Sequence, residues 1–200
     1  MLLVRKYSYK SDKDVTLSKH FAVGEFRSHA NGVITTDTIL IDENLIILLE
    51  KLITKLGASK AIITSGYRDS KCDKLVGGSG KGKHVDGMAC DIIFYKKDGT
   101  TFDTKLVSCY AQDIGFGGIA RISKQAIHLD TRTGAKYYGD ETKGTNSVTK
   151  DFYSYYNIKR EEKKYRNEVK KRFGLDDSTI EFFEGHPYPD DLFLKLATKG

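Results

Sequence analysis

Residues 77–95 read GGSGKGKHVDGMACDIIFY, a glycine-rich polar stretch that runs directly into a mostly apolar one. The second half, Ala89–Tyr95, is rich in β-branched, aromatic and small residues, which predicts a buried strand. The glycines predict a flexible loop that approaches this strand, with Gly87 allowing the bend. We therefore expect a loop-to-strand junction that places two polar side chains, His84 and Asp91, beside a core element.

Regular elements are predicted on both sides of this junction. Asp42 precedes ENLIILLEKLITKLG, in which apolar residues recur at helical spacing and Gly57 follows the last of them. This pattern predicts a helix over residues 43–56 that packs against a sheet. Further strands are predicted at residues 61–64, 115–122 and 126–130, and one more helix is predicted at residues 102–113. Because the strands are close enough for antiparallel pairing, the sequence predicts an α+β domain.

The composition is that of a folded soluble protein. Hydrophobic residues make up 39% of the chain and charged residues 30%, which excludes disordered and fibrous classes. No apolar run approaches the roughly 20 residues of a membrane helix, so no membrane insertion is predicted. The opening MLLVRKYSYKSDKD lacks a signal-peptide core and cleavage site, which predicts synthesis in the cytoplasm. The cysteines at 72, 90 and 109 lie far apart and are expected to be reduced.

The composition changes near residue 134, which predicts a division into parts. Residues 134–157 are rich in Gly, Thr, Ser and Tyr and lack aliphatic periodicity. We expect a first domain over residues 1–135, a linker over 136–157 and a small helical C-terminal module over 158–200. An irregular extension of the first domain is the alternative interpretation of the middle segment. Helix starts are predicted at residues 176–178 and 190–191. Such a module buries little core alone, so it should dock on the first domain or on a partner.

The net charge of +6 favours polyanionic partners such as nucleic acid or an anionic cell wall, although a solvated lysine-rich surface explains it equally well. Residues 77–83 match G-x-x-x-x-G-K, but His84 follows where a phosphate loop needs Ser or Thr. The flanking strand and helix of a phosphate loop are also missing from the pattern. The sequence pattern predicts no basic helix and no interleaving of aromatic and basic residues, so nucleic-acid binding is not predicted.

Three residues form a candidate metal site. His84 and Asp91 lie in HVDGMACD, and His128 lies downstream in AIHLD. Two imidazoles and one carboxylate suit zinc and leave a fourth position for water, as in catalytic sites. Taken without further context, ordinary polar loop residues are the alternative interpretation.

Four stretches together resemble a known enzyme family. They are LSKHFAVGEFRSHANG at 17–32, SGYR at 65–68, GGSGKGKHVDGMACDI at 77–92 and IHLDTR at 127–132. Their order and content resemble the zinc peptidase family of D-alanyl-D-alanine carboxypeptidases and L-alanyl-D-glutamate endopeptidases, in the branch that includes phage endolysins. The resemblance implies a small central antiparallel sheet flanked by helices.

The resemblance also implies the site residues and the substrate. By position, His84, Asp91 and His128 correspond to the three Zn²⁺ ligands. Arg68 corresponds to the arginine that faces the substrate carbonyl, where it would stabilise a developing oxyanion. The implied partner is bacterial peptidoglycan, which an endolysin reaches through a phage holin or on lysis.

Two positions depart from the family pattern. Gly82 stands where the family usually has Ser. Gln125 stands where many relatives place an acidic residue, and an amide cannot accept the proton. Strand alternation then makes Asp130 the predicted general base, because residues i and i+2 share a face. The alternatives for Asp130 are orientation of the zinc-bound histidine, or an ion pair with Arg132 or Arg121.

A binding protein is the rival class, because the same zinc fold serves as a signalling domain in animals without a demonstrated need for hydrolysis. Gln125 keeps that alternative open. The C-terminal segment, from Tyr165 onward, resembles short modules at the ends of cell-wall amidases and lysins, which predicts wall binding. The alternative is a helical appendage that stabilises a homo-oligomer or the catalytic domain.

Overall fold

The computed structural model describes residues 3–144, 150–160 and 164–184. The chain divides into two compact units, Met1–Ile158 and Lys159–Gly200. The strands are Val4–Ser8 (β1), His29–Ala30 (β2), Val33–Ile34 (β3), Thr38–Asp42 (β4), Lys60–Ser65 (β5), Ala89–Tyr95 (β6), Gly118–Arg121 (β7), Ala126–Asp130 (β8) and Tyr137–Asp140 (β9). The α-helices are Tyr9–Asp12 (α1), Glu43–Leu56 (α2), Ser70–Leu75 (α3), Thr104–Ile114 (α4), Phe152–Tyr156 (α5), Lys164–Phe173 (α6) and Asp177–Glu184 (α7). The mixture of small sheets and helices confirms the predicted α+β class.

A five-stranded sheet in the order β5-β6-β8-β7-β9 forms the centre of the first unit. The four strands β5, β6, β8 and β7 pair antiparallel with one another in that order. Alternate residues of these strands, such as Ile92 and Ile127, join the hydrophobic core with helices α2 and α4. Successive side chains on a strand point to opposite faces. Asp91 and His128, which are direct cross-strand partners, therefore lie on the face away from that core.

Strand β9 makes the sheet mixed, whereas the predicted sheet was antiparallel throughout. β9 pairs parallel with β7, starting with Tyr137 opposite Gly118. β8 ends with Asp130 opposite the same glycine. The connection from β8 to β9 therefore lies at the end of the sheet where β7 begins. Because β9 starts at the same end as β7, the two strands run in the same direction. The sequence of β9, YYGD, lacks the alternation by which strands are recognised.

Helix α2 forms over the predicted residues for local reasons. The side chain of Asp42 accepts a hydrogen bond from the Asn44 N–H at 3.2 Å and so caps the first turn. Gly57 ends the helix in the left-handed conformation with φ +63°. One face of the helix is buried through the residues Leu45, Leu49 and Leu52, each with no exposed surface. Burial of a leucine side chain contributes about 1.5–3 kcal/mol, so this face fixes the helix on the sheet.

The segment predicted as a linker, residues 136–157, lies within the first unit and contains β9 and α5. Phe152 and Tyr153 of α5 belong to the hydrophobic core, with exposed fractions of 0% and 5%. The ring centroids of Phe152 and Tyr138 lie 4.9 Å apart. The Phe152 N–H also donates to Gln112 Oε1 at 2.8 Å. The segment packs through aromatic side chains and has no periodic aliphatic residues. For that reason its sequence resembled a linker.

The second unit contains helices α6 and α7. Each buries one aliphatic side chain, Val169 in α6 and Ile180 in α7. The Thr179 N–H donates to Asp176 Oδ1 at 2.7 Å, which confirms the predicted helix start at residues 176–178. The other predicted start, at residues 190–191, lies outside the described residues. Among the helices that the structure describes, none has the length and apolar character needed to cross a bilayer.

We expect a chain ending at residue 158 to keep the stability of the first unit, and a chain ending at residue 144 to lose much of it. The shorter chain lacks Phe152 and Tyr153, and truncation of one buried phenylalanine typically costs about 3–5 kcal/mol. Calorimetric unfolding of both chains measures this difference. Equal unfolding temperatures would show that α5 contributes nothing to the core.

Candidate metal centre

Three donor atoms from different elements converge on the open face of the sheet. His84 lies in the loop between α3 and β6, while Asp91 lies on β6 and His128 on β8. His84 Nε2 is 3.1 Å from His128 Nδ1 and 3.2 Å from Asp91 Oδ1. His128 Nδ1 is 3.1 Å from the same oxygen of Asp91. The structure thus brings together the three residues that the sequence analysis identified as candidate ligands.

This triangle of donors fits zinc. A tetrahedral zinc ion with bonds of about 2.0–2.1 Å has ligand-to-ligand edges of about 3.3–3.4 Å, close to the observed distances. His84 and Asp91 are each 8% exposed, so the donors are largely shielded from water. Within the described parts of the chain, it is the one group of three His, Cys, Asp or Glu residues whose ligand atoms lie within 4.8 Å of one another. Three protein donors leave a fourth position, which is the pattern of a catalytic zinc site.

The loop before β6 determines which nitrogen of His84 faces this cluster. His84 Nδ1 lies 2.7 Å from the Gly66 carbonyl oxygen. A carbonyl oxygen only accepts hydrogen bonds, so Nδ1 carries the proton and Nε2 is free to bind a metal. Gly87 turns the chain with φ +72°, and a Cβ there would lie 2.6 Å from Leu40 Cβ. The predicted bend at Gly87 therefore requires glycine.

His128 uses its two ring nitrogens in opposite directions. Nδ1 faces Asp91, while Nε2 lies 3.1 Å from Asp130 Oδ2. Asp130 has no exposed surface. Its carboxylate therefore lies at the edge of the imidazole away from the donor triangle.

A family model described as Peptidase M15 matches residues 19–130, which is more than half of the chain. The chain belongs to the peptidase M15 family. M15 peptidases are zinc-dependent, and the cluster of His84, Asp91 and His128 supplies a group that could bind the metal. No curated protein matches the chain.

In this M15 domain, Arg68 lies directly beside the metal centre. Its Nη2 donates to Asp91 Oδ2 at 2.6 Å, and its Nε donates to Ser65 Oγ at 2.8 Å. The Arg68 side chain is 19% exposed. Arg68 thus holds the oxygen of Asp91 that does not take part in the donor triangle.

Sequence reasoning missed Asp73, which supports Arg68 and the glycine-rich loop of the M15 domain. Asp73 is 5% exposed, and its Oδ2 accepts a hydrogen bond from the Gly80 N–H at 2.8 Å. Its Oδ1 lies 3.5 Å from Arg68 Nη1. The sequence carries no local signal for these contacts, because they form only when the loop folds back over α3.

The two departures from the family pattern have clear positions. Gln125 is exposed in the turn between β7 and β8. Gly82 has φ +125° with open space around its Cβ direction. A serine there would meet no steric obstacle but would be strained, because L-residues rarely adopt this backbone conformation. Glycine at position 82 therefore suits the backbone conformation of this loop.

In the metal-free chain, the positive charge of His128 and the negative charges of Asp91 and Asp130 stabilise one another. Burial would lower the pKa of His128, but its hydrogen bonds to Asp130 and Asp91 outweigh burial and raise the pKa to about 9. Burial would raise the pKa of Asp91 and of Asp130, yet hydrogen bonds from the histidines and, for Asp130, from Arg132 hold both pKa values below their usual range. Both carboxylates are therefore ionised at neutral pH. His128 Nδ1 would have to give up its proton to hold a metal.

Proposed function

We propose that this zinc peptidase hydrolyses peptide bonds of bacterial peptidoglycan, as a D,D-carboxypeptidase or an L-alanyl-D-glutamate endopeptidase of the endolysin type. The observation that carries the proposal is the triangle of His84, Asp91 and His128 with Arg68 at its side. The motif order of the phage endolysin branch supports the substrate class. The net charge of +6 also favours association with an anionic wall.

The chain's own residues supply binding and charge stabilisation in this mechanism. His84 Nε2, His128 Nδ1 and Asp91 Oδ1 would hold zinc. When bound, the ion supplies Lewis acidity to the scissile carbonyl and to the attacking water. Arg68, which the structure places against Asp91 beside the donor triangle, would donate to the substrate oxygen on which negative charge develops, and such donors typically contribute about 10²–10³ in rate.

The position of Asp130 supports an orienting role over that of general base. Its carboxylate contacts His128 Nε2, whereas the metal would lie at Nδ1. A carboxylate that accepts the outer N–H of a ligating imidazole fixes the tautomer and the plane of the ring. Asp130 would thus act on the substrate only through His128.

We therefore expect Asp130→Asn to weaken zinc affinity by roughly 10–100-fold and to lose activity that excess zinc restores. The amide keeps the shape of the carboxylate but removes its charge. Zinc affinity from chelator competition, together with turnover at increasing zinc, measures the effect. A loss of turnover by about 10²–10⁴-fold at unchanged zinc affinity would instead identify Asp130 as the general base.

Digestion of purified peptidoglycan tests the proposed function. The zinc-loaded protein should release muropeptides whose masses identify the cleaved bond, and a chelator should stop the reaction. His84→Ala provides a matched inactive control. A protein that binds zinc but releases nothing from walls of several chemotypes would favour the rival class, a zinc-containing binding protein, which the amide at Gln125 supports.

For the second unit we propose cell-wall binding, with release of the protein from the cytoplasm through a phage holin. Helix α6 supports this proposal: no basic helix was predicted from the sequence, but KYRNEVKKRF contains five basic residues and one acidic residue. Full-length protein should therefore be retained on insoluble peptidoglycan more strongly than a chain ending at residue 158. Both chains should cleave a soluble peptide fragment equally. Equal retention would remove the wall-binding role and leave self-association of the unit to be tested by its mass in solution.

A further inference from the structure

Asp130 is enclosed by the side chain of Arg132, two residues further along the chain. Arg132 Nε lies 2.9 Å from Asp130 Oδ1 and 3.0 Å from Oδ2, and Nη2 donates to Oδ2 at 2.6 Å. The Arg132 N–H donates to Oδ1 at 2.9 Å as well. The same Oδ2 faces His128 Nε2 at 3.1 Å. The guanidinium, the carboxylate and the imidazole therefore form one continuous chain of hydrogen bonds that ends at the metal centre.

Two glycines on β7 and just before it make room for this arrangement. Gly118 lies opposite Asp130 in the sheet, and a Cβ at Gly118 would stand 2.0 Å from Asp130 Oδ2. A Cβ at Gly117 would stand 2.0 Å from the carbonyl oxygen of Arg132. The carboxylate can occupy its buried position only because Gly118 lacks a side chain, and Arg132 can lie beside Gly117 for the same reason.

Strand β9 holds Arg132 from the other side. The guanidinium carbon of Arg132 lies 4.9 Å from the centroid of the Tyr137 ring. The Tyr137 N–H donates to the Gly117 carbonyl at 3.0 Å, which ties this ring to the glycine pair. Stacking on an aromatic ring restricts the guanidinium plane while its donors remain directed at the carboxylate.

We propose that Arg132 is a positioning residue of the metal centre, which acts through Asp130 to set the orientation of His128. The inference rests on the proposed zinc site. A buried carboxylate needs a charged partner to remain where it is, because an uncompensated buried charge is strongly unfavourable. The planar fork of arginine fixes both carboxylate oxygens at once, whereas the ammonium of lysine acts as a point charge. Arg132 is therefore specified by geometry as well as by charge.

The test compares zinc affinity in Arg132→Met and Arg132→Lys with that of the wild-type chain by chelator competition. We expect Arg132→Met to bind zinc at least about 10-fold more weakly, as for loss of an outer-shell partner, and Arg132→Lys to fall between the two. The visible spectrum of the Co²⁺-loaded protein should change in both variants, because it reports the geometry of the ligands. Since lysine retains the charge and the aliphatic stem, Arg132→Lys decides the question if Arg132→Met does not fold.

Arg121→Met is the matched control. Arg121 lies in the same sheet and also pairs with a buried aspartate, Asp140, at 3.9 Å. It donates to Thr104 and Thr142, which lie outside the metal centre. This variant should lower thermal stability while zinc affinity stays at the wild-type value. If Arg121→Met weakened zinc binding as much as Arg132→Met, the effect would be general destabilisation and the inference would be wrong.

Gly118→Ala tests the same carboxylate, that of Asp130, by a substitution on β7. The added methyl group would displace Asp130, so zinc binding should weaken although Arg132 is intact. Gly24→Ala, in the first unit but outside the metal centre, is its control: a Cβ there would stand 2.9 Å from the Lys13 carbonyl oxygen, so the variant should strain the backbone and leave zinc affinity at the wild-type value. Wild-type zinc affinity in Gly118→Ala and in both Arg132 variants would overturn the inference. A wild-type chain that binds no zinc would instead overturn the proposed metal site itself.

Discussion

Alanine in place of His84, Asp91 or His128 should remove most of the zinc that the wild-type chain binds, and with it the peptidase activity. Each residue supplies one corner of a triangle with edges of 3.1–3.2 Å, so each substitution leaves only two protein donors. Loss of a partner in the outer shell typically costs roughly 10–100-fold in metal affinity, and loss of a direct ligand should exceed that. Metal analysis of purified, dialysed protein measures the first effect, and hydrolysis of a soluble peptide measures the second.

Two substitutions outside the cluster serve as matched controls. His20 hydrogen-bonds Glu50 through Nδ1 at 2.7 Å and lies on a different part of the first unit. Asp98 is an exposed turn residue bonded to Thr100. His20→Ala and Asp98→Ala should retain one zinc per chain. Normal zinc content in all three cluster variants, in folded protein, would contradict the assignment of the ligands.

Arg68→Ala should lower turnover by about 10²–10³-fold, the usual effect of removing a donor to a developing oxyanion. The substitution also leaves Asp91 Oδ2 without its 2.6 Å partner, but the three metal donors remain in place. Zinc should therefore stay bound at the concentrations used for the assay. Arg68→Lys should recover little activity, because lysine cannot contact Ser65 and Asp91 with one planar group. Steady-state kinetics on a soluble peptide, with zinc content measured in parallel, checks both variants.

Arg5→Ala is the control for Arg68, because Arg5 forms an exposed ion pair with Glu43 on the surface. Near wild-type turnover in Arg68→Ala would show that the guanidinium has no part in the reaction. Loss of zinc together with activity in Arg68→Ala would show that its main contribution is to hold Asp91.

Much of the local structure follows from short-range sequence patterns. The helix at residues 43–56 has its capping aspartate, its apolar face and its terminal glycine within the segment itself, so the prediction and the structure agree. The strand at Ala89–Tyr95 and the strand at Ala126–Asp130 are likewise encoded by their own residues. Strand β9 and helix α5 were not recognised, because their aromatic side chains become core residues only against partners distant in sequence.

The chemical identity of the candidate metal centre was also present in the sequence, since His84, Asp91 and His128 are the residue types that zinc prefers. What the tertiary structure decided is how they are arranged. The cross-strand register sets Asp91 opposite His128, and the loop contact to Gly66 turns His84 Nε2 toward them. The tertiary structure also places Asp130 at Nε2 of His128, away from the donor triangle. Strand alternation had predicted only that both side chains lie on one face of the sheet. The physical reason is that alternation specifies a face of a sheet, while the direction of a ring nitrogen depends on the packing of every neighbouring side chain.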